Sequence, residues 1–303
     1  MPFYDIGGGQ RSAQLAKTLN KMGYSVHYIY AAEASDRGER VTDIPVIRHV
    51  ALSDYSTKQL IADLMGEPVF IFEIPAPQFE PYLELASTIG AKVVYQHIGN
   101  WETSLGSTLC SEPTYRSFLL HADTVVATAR PLQEKVLQFM ADDPALAELT
   151  EKVIYLANAV DTDLFDPAFQ RDMPADLVIG DTTLLYYGSL WGEWFDWSLI
   201  LRVASECPQC SINLIGDYKP VEHLTKRLPR NVHFLGAKLQ SELPAYLTYT
   251  DITLLPFKND DIGKYVSPLK IFEYIAMNKR VLATALPDIL DYPNVFASDS
   301  GDD

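Results

Sequence analysis

Cysteine is scarce in this chain, and the few cysteines present do not form a recognisable metal site. Only Cys110, Cys207 and Cys210 occur in 303 residues. The Cys207-Pro208-Gln209-Cys210 pair lacks the second pair that a four-ligand zinc site requires. We therefore interpret this pair as coincidental in a reduced cytosolic protein, and we expect no metal site.

Two further absences concern membranes. The sequence contains no stretch with the pattern of a signal peptide and no apolar run long enough to span a bilayer. The expected location is therefore cytoplasmic, with peripheral association at the inner face of the membrane as an open alternative.

Positive charge is also in short supply. Asp and Glu number 40 whereas Lys and Arg number 24, which gives a formal net charge of −16. No basic run offsets this excess, so the chain is not expected to bind nucleic acid. Its 48% hydrophobic and 21% charged content is ordinary for a soluble globular protein, and 303 residues suit two domains better than one.

The first glycine turn, Gly7-Gly8-Gly9, lacks two features of a dinucleotide site. Ser12 stands where the G-x-G-x-x-G pattern needs its third glycine, and Ala31, rather than an acidic residue, follows the next strand. The three glycines let the backbone approach a ligand closely before a helix, although a simple tight turn explains them too. Almost no strand precedes them, so we expect that the first strand of this domain is missing from the chain.

After this turn, strand and helix patterns alternate along two halves. A strand over 183–187 followed by Gly188 repeats the strand–glycine–helix opening of the first half. The acidic segment 158–167 between the halves has little apolar periodicity and suits a linker. We therefore predict an α/β fold of two Rossmann-like parallel-sheet domains, covering residues 1–165 and 166–303.

Within the first half, residues 69–72 predict a fully buried strand, 80–89 a helix and 92–96 the next strand. His97 and Asn100 follow this last strand at its carboxyl end, where open α/β sheets bind ligands. His97 can orient or polarise a hydroxyl group, but a purely structural hydrogen bond explains it equally well.

The segment 267–276 predicts a helix whose start lies at a ligand site. Ser267 suits the N-cap, and Pro268 suits the first helical position because its missing N–H would be unpaired anyway. Strand patterns precede and follow this helix, so its N-terminus should lie at the carboxyl ends of parallel strands and favour phosphate. Lys270 can neutralise a diphosphate and Glu273 can accept two ribose hydroxyls, although a surface helix with an ordinary ion pair is the alternative.

Four stretches together resemble the C-terminal half of GT-B glycosyltransferases, close to the retaining family 4 group. Their order and spacing are more specific than any one of them, and the resemblance extends over nearly the whole chain. The stretches are NAVDTDLF at 158–165, YGSLW at 187–191 with WFDW at 194–197, NVHFLG at 231–236, and SPLKIFEYIA at 267–276.

The resemblance implies two domains that face each other across a cleft and transfer a sugar with retained anomeric configuration, in polysaccharide or glycoconjugate biosynthesis. The N-terminal domain would bind the acceptor, a sugar or a lipid-linked sugar, and the C-terminal domain would bind the nucleotide-sugar donor. Such enzymes stabilise the leaving diphosphate with side chains and a helix N-terminus, so no metal or other cofactor is expected.

The resemblance also implies roles for individual residues. From the resemblance and from the positions of the residues together, we assign donor binding to Gly188, Ser189, Lys258, Ser267, Pro268, Leu269, Lys270 and Glu273, catalysis to His97 and Lys270, and an acceptor and phosphate loop to Gly7, Gly8, Gly9 and Asn100. Glu273 matches the second glutamate of the E-x7-E motif, but Tyr265 occupies the position of the first. Ser189 and Phe195 stand where the family usually has an arginine and a lysine. The aromatic cluster over 191–197 is expected to pack between a loop and its domain rather than to stack on a sugar.

Two other functions stay open. A catalytically silent homologue that binds a nucleotide or a partner would account for the missing basic pair, and the glycine turn alone suggests an NAD-linked oxidoreductase. Residues 280–284 are the last clear strand, although proteins of this family continue further. Both domains are therefore expected to be incomplete at the chain ends.

Overall fold

The computed structural model forms two α/β units and describes residues 10–30, 47–103, 108–225, 228–260 and 263–298. The N-terminal unit ends at Ala157 and the C-terminal unit begins at Asn158, while residues 265–267 group with the N-terminal unit. The domain boundary predicted between residues 165 and 166 stays a prediction.

The N-terminal unit alternates strands and helices. Its described strands are β1 (Val26–Tyr30), β2 (Ile47–Ala51), β3 (Val69–Phe72), β4 (Lys92–His97), β5 (Thr124–Ala127) and β6 (Val153–Tyr155). Its described helices are α1 (Arg11–Lys21), α2 (Thr57–Asp63), α3 (Glu80–Ile89), α4 (Glu112–His121) and α5 (Arg130–Ala141). The strands form two parallel sheets in the orders β1-β2 and β3-β4-β5-β6.

Helix boundaries in this unit follow from local chemistry. Ser56 begins α2 through a reciprocal capping box with Gln59. Ser111 begins α4 by accepting a hydrogen bond from the Thr114 N–H. Gly90 ends α3 at a φ of 68°, a left-handed conformation that glycine adopts without strain. The helix predicted over 80–89 is therefore confirmed.

One hydrophobic core connects both sheets of the N-terminal unit. Tyr95, Phe118 and Met140 are fully buried at its centre. Ile29 of β1 and Val50 of β2 pack against the same cluster. The two sheets therefore share one interior, which fixes the position of the carboxyl end of β4.

Strand β3 is not fully buried, so that expectation is wrong. Phe72 is buried, but 57% of Val69 and 39% of Ile71 are exposed. A continuous apolar run indicates burial on both faces only for a central strand. Within the described residues β3 pairs only with β4, and it is therefore an edge strand. The expected loss of a first strand stays a prediction.

The C-terminal unit is built on one six-stranded parallel sheet with the order β12-β11-β10-β7-β8-β9. Its described strands are β7 (Thr182–Tyr187), β8 (Cys210–Ile215), β9 (Val232–Gly236), β10 (Ile252–Leu255), β11 (Arg280–Thr284) and β12 (Val295–Ser298). Its described helices are α6 (Trp197–Glu206), α7 (Glu222–Thr225), α8 (Leu243–Thr248) and α9 (Leu269–Ala276). The chain moves outward to one side after β7 and to the other side after β10. The strand order therefore reverses between β7 and β10, where open α/β sheets bind their ligands.

Strand β12 lies beyond residues 280–284, the last segment with a clear strand pattern, and is therefore not predicted from the sequence. It pairs in parallel with β11 at one edge of the sheet. Phe296 and Ala297 are exposed, and no residue of this strand is fully buried. An edge strand without a buried face lacks the apolar alternation by which strands are recognised.

Helix α9 starts one residue later than predicted. Pro268, not Ser267, is the N-cap, with an extended backbone at φ −70° and ψ 121°. The helix therefore begins at Leu269, and the Ile271 N–H donates to the Pro268 carbonyl at 3.1 Å. The predicted position of the helix start at the sheet edge is otherwise confirmed.

Candidate functional site

Three glycines hold the carboxyl ends of β7, β8 and β9 close together. Gly188, Gly216 and Gly236 have φ angles of +139°, +152° and +73°. The Gly188 N–H donates to the Ile215 carbonyl and the Gly216 N–H donates to the Gly236 carbonyl, both at 2.9 Å. A Cβ on Gly216 would lie 2.0 Å from the Gly188 carbonyl oxygen, so no other residue fits there.

Lys270 lies against this glycine edge from the first turn of α9. A Cβ on Gly188 would lie 3.0 Å from Cε and 3.2 Å from Nζ of Lys270. The same Nζ lies 5.3 Å from the ring centroid of Tyr186 and 5.0 Å from that of Phe257, which are cation–π distances. In the part of the chain that the structure describes, this nitrogen has no hydrogen bond and no ion pair.

The environment of Lys270 lowers the pKa of its amine. Burial lowers the pKa of the Lys270 amine to about 8, and the negative charge of Glu273 only partly opposes this effect. Aromatic rings attract a cation but do not neutralise it. A bound anion would therefore supply the opposite charge that this amine lacks among the described residues.

Glu273 lies one turn further along α9 and is 7% exposed. Its Oε2 accepts a hydrogen bond from the Tyr187 hydroxyl at 2.6 Å, and its Oε1 accepts one from Nε2 of Gln240 at 2.9 Å. Burial raises the pKa of the Glu273 carboxyl, while both hydrogen bonds and the charge of Lys270 act in the other direction. Because Ile271, Glu273 and Tyr274 are all buried, the alternative of an ordinary surface helix is wrong.

Ser189 and Phe195 occupy the two positions where the resemblance leads one to expect basic residues. Phe195 is buried, and its ring packs 4.9 Å from Tyr186 and 4.8 Å from Trp197. The predicted packing role of the aromatic cluster is confirmed for Phe195 and Trp197, whereas 54% of Trp191 is exposed. Neither Ser189 nor Phe195 can supply a positive charge.

The remaining predicted donor residues lie around the same sheet edge. Within the described residues the buried Ser189 Oγ has no hydrogen-bond partner, while the Ser189 carbonyl accepts the Tyr186 hydroxyl at 3.1 Å. Lys258 follows β10 with an exposed side chain, and its backbone N–H donates to the Trp194 carbonyl at 2.8 Å. Ser267 and Pro268 lead into α9, and Leu269 is its first residue. The structure therefore brings Gly188 and Lys270 into contact and leaves Lys258 exposed.

In the N-terminal unit, His97 is buried at the carboxyl end of β4. Its Nδ1 lies 3.3 Å from the Tyr95 hydroxyl, which in turn accepts Nε1–H of Trp101 at 2.9 Å. Among the described residues, Nε2 of His97 has no hydrogen-bond partner. Burial lowers the pKa of His97 to about 3, with Lys135 as a smaller cause, so the ring is neutral at physiological pH.

A cavity of about 340 Å³ adjoins this histidine. Its walls combine aromatic rings with polar groups, namely His97, Asn100, Trp101, Glu102, Cys110, Ser111, Glu112, Tyr115, Lys135 and Phe139. Lys135 and Glu102 form an ion pair at 2.7 Å. The predicted residues His97 and Asn100 therefore line one cavity together.

The start of α1 is tied to the end of β4. The Arg11 Nε–H donates to Oε1 of Gln96 at 2.5 Å, and Nη1 donates to the Ala157 carbonyl at 3.3 Å. Gly7, Gly8 and Gly9 lie outside the described residues, so the predicted loop before this helix stays a prediction.

The sequence pattern does not predict the groups that surround Lys270 and Glu273. Tyr186 and Phe257 flank the amine, and Tyr187 and Gln240 bind the carboxylate. Tyr187 and Gln240 are separated from Glu273 by 86 and 33 residues along the chain. No spacing rule connects positions so far apart, although the strand end before Gly188 indicated where to look.

No cluster of three or more His, Cys, Asp or Glu side chains suited to a metal ion occurs among the described residues. In the same part of the chain, none of the helices combines the length and the apolar character that a membrane crossing requires.

Comparison with curated sequences finds a relative of moderate sequence similarity. TuaH of Bacillus subtilis (strain 168), which is provisionally named a teichuronic acid biosynthesis glycosyltransferase, is 28% identical over 191 residues. The match covers 60% of this chain and 45% of TuaH, so the chain matches less than half the length of that relative. No family model matches the sequence.

Two solved structures are similar to this chain in fold. A glycosyltransferase from Rickettsia africae ESF-5 superimposes with a TM-score of 0.67 at 18% identity, covering 99% of this chain and 83% of that one. The Anabaena protein Alr3699/HepE, solved in complex with UDP and glucose, gives a TM-score of 0.55 at 16% identity, covering 76% and 64% of the two chains. At these identities the likeness shows the fold alone.

Proposed function

We propose that this chain, whose two α/β units have the GT-B fold, is a glycosyltransferase that moves a sugar from a nucleotide-sugar to an acceptor hydroxyl with retained anomeric configuration. The fold class predicted from the sequence is confirmed by the solved structures. The names of TuaH and HepE support the activity, because one refers to glycosyl transfer in teichuronic acid biosynthesis and the other complex contains UDP and glucose. Polysaccharide or glycoconjugate biosynthesis is the process proposed for this chain.

The observation that carries this proposal is the environment of the Lys270 amine. Its Nζ lies within cation–π distance of two aromatic rings and, among the described residues, has no anionic partner within ion-pairing distance. It lies at the N-terminal turn of α9, where the positive end of the helix dipole also favours an anion. A diphosphate placed here would gain negative charge as the sugar leaves, and Lys270 would stabilise that charge.

The other donor residues have complementary roles in this proposal. Gly188 lets the backbone approach the phosphates, and the Ser189 hydroxyl, which has no partner among the described residues, can donate to a phosphate oxygen. Glu273 accepts ribose hydroxyls, and the exposed Lys258 can reach the outer phosphate or the sugar. Ser267, Pro268 and Leu269 form the entrance to the helix N-terminus.

The acceptor is proposed to bind in the N-terminal unit, as a sugar or a lipid-linked sugar. The neutral His97 has a free Nε2 among the described residues, so it can exchange a hydrogen bond with an acceptor hydroxyl. Asn100 lines the same cavity and supplies an amide for orientation.

A catalytically silent homologue is the second candidate. The observation that favours it is the buried phenylalanine at position 195, which leaves Lys270 as the cation nearest the glycine turn among the described residues. An NAD-linked oxidoreductase is a weaker candidate that rests on the first glycine turn alone.

A thermal-shift panel with UDP-, GDP- and ADP-sugars, NAD and the free nucleosides tests these functions together. A ligand that binds only the folded state raises the unfolding midpoint. We expect a shift with at least one sugar nucleotide, followed by donor turnover and a product whose anomeric configuration, measured by NMR, matches that of the donor. Binding without turnover would select the silent homologue, and a shift with NAD alone would contradict the proposal.

A further inference from the structure

Two buried side chains from separate elements hold the carboxylate of Glu273. Tyr187 is the last residue of β7, and Gln240 begins a short 3-10 helix between β9 and α8. Each binds a different carboxylate oxygen, at 2.6 Å for Tyr187 and 2.9 Å for Gln240. Both side chains are themselves buried, so neither can move far without disturbing its surroundings.

This double contact fixes the direction of the carboxylate. A glutamate side chain otherwise rotates about several bonds, and one hydrogen bond alone would still leave its plane free to turn. Donors on both oxygens fix the plane as well. Each oxygen accepts about two hydrogen bonds, so among the described residues one acceptor position on each oxygen stays open.

We infer that Tyr187 and Gln240 are positioning residues that aim the two open acceptor positions of Glu273 at the two hydroxyls of a ribose. The inference rests on the proposed nucleotide-sugar site and adds a source of specificity to it. A site with a fixed carboxylate should prefer a ribonucleotide over the corresponding 2′-deoxyribonucleotide. A carboxylate that turns freely should lose much of this preference.

A purely structural role would have a different signature. If Tyr187 and Gln240 only satisfied a buried carboxylate, their loss would lower the unfolding midpoint and weaken both nucleotides equally. If they aim the carboxylate, their loss should weaken the ribonucleotide selectively. The ratio of the two dissociation constants therefore distinguishes a positioning role of Tyr187 and Gln240 from a purely structural one.

Titration calorimetry on the full chain would compare UDP with 2′-deoxy-UDP, and likewise the GDP and ADP pairs. The wild type should bind the ribonucleotide of at least one pair about tenfold more tightly than its deoxy counterpart, as expected for a hydrogen bond to a charged group. Tyr187→Phe and Gln240→Met, which keep size and remove the donor, should each reduce the ratio to about twofold. Glu273→Gln should reduce it too, and Tyr187→Phe should then have no further effect on the ratio because the two act as one unit.

Tyr274→Phe is the matched control. This residue is also a buried tyrosine, its ring centroid lies 5.0 Å from that of Tyr187, and its hydroxyl accepts the Tyr187 backbone N–H rather than binding the carboxylate. It should lower stability while keeping the wild-type ratio. If Tyr187→Phe does not fold, Gln240→Met still decides the question.

The outcomes separate the inference from the function on which it rests. Failure of every nucleoside diphosphate to bind would overturn both. A wild-type preference for ribose that both variants retain in full would overturn the positioning roles and leave the nucleotide site standing. Equal binding of ribo- and deoxyribonucleotides by the wild type would overturn the ribose contact and the positioning inference together.

Discussion

The carboxyl edges of the two units differ in how their polar groups are partnered. In the C-terminal unit, Glu273 has two hydrogen bonds, whereas Lys270 has no anionic partner among the described residues. In the N-terminal unit, His97 is neutral, buried beside Tyr95 and Tyr115, and adjoins a cavity with aromatic walls. The first edge therefore presents a cation that has no anionic partner among the described residues, whereas the second presents a neutral histidine, and the charges of Lys135 and Glu102 beside it are paired.

This difference matches what each side of a sugar transfer would need. The departing nucleotide carries and gains negative charge, so its site benefits from a fixed cation and a helix N-terminus. An acceptor hydroxyl is neutral and needs orientation more than charge. Substitutions in each unit test this difference, and their expected effects on nucleotide affinity decrease from Lys270 through Glu273 to His97.

Lys270→Ala should have the largest effect. Removing the cation should weaken UDP binding about 10- to 100-fold, because a charge-assisted hydrogen bond to a phosphate is lost. Uridine, which lacks phosphates, should bind almost as before. Titration calorimetry with both ligands measures this difference.

Lys58→Ala is the control for that change, since Lys58 is exposed on α2 in the other unit. It should leave both affinities unchanged. Equal losses for UDP and uridine in Lys270→Ala would instead show that the lysine supports the fold.

The pH dependence of UDP affinity should report the same lysine. With a pKa of about 8, lowered by burial, Lys270 is charged below pH 8 and neutral above it. Because the diphosphate needs the charged form, affinity should be flat below pH 8 and then fall towards about tenfold per pH unit. Calorimetry from about pH 7 to 9.5 avoids the terminal phosphate, which titrates near pH 6.

His97 should add no step to this profile, because its pKa of about 3 keeps it neutral throughout that range. The step should disappear in Lys270→Ala. A wild-type affinity that does not change between pH 8 and 9.5 would contradict the diphosphate role of the lysine.

Glu273→Gln should weaken UDP about tenfold with little loss of stability. A neutral amide has one acceptor oxygen and one donor group, so it cannot accept two ribose hydroxyls as a carboxylate does. Burial already raises the pKa of Glu273, and a neutral side chain avoids part of that desolvation cost. Calorimetry and a denaturant midpoint measure the two quantities, and an unchanged dissociation constant would contradict the ribose contact.

The sequence predicts some helices of this fold more accurately than it predicts edge strands and the start of α9. The helix Glu80–Ile89 was predicted to the residue, because Gly90 marks its end. Strand β12 was not predicted, and β3 was predicted to be fully buried. Both strands lie at sheet edges, where burial depends on neighbouring elements. The start of α9 was one residue off, since Pro268 keeps an extended ψ.

The candidate site was predicted in part for a similar reason. Lys270 and Glu273 were predictable because both lie on one helix turn next to a helix start. Their partners Tyr187, Gln240 and Phe257 come from other elements, and only the folded sheet brings them together. The burial of His97 was likewise not visible in the sequence, which left a structural and a functional role equally open.

His97→Phe should have the smallest effect on nucleotide affinity and the clearest effect on the other edge. UDP should bind within about twofold of wild type, since the change lies in the other unit. Stability should change by only about 1 kcal/mol or less, because loss of Nε2, which has no partner among the described residues, and loss of the Tyr95 contact act in opposite directions. Transfer to an acceptor should fall about tenfold or more if Nε2 orients the hydroxyl. Donor binding by calorimetry and transfer by product NMR test this together. Transfer at the wild-type rate would show that His97 only completes the packing around Tyr95.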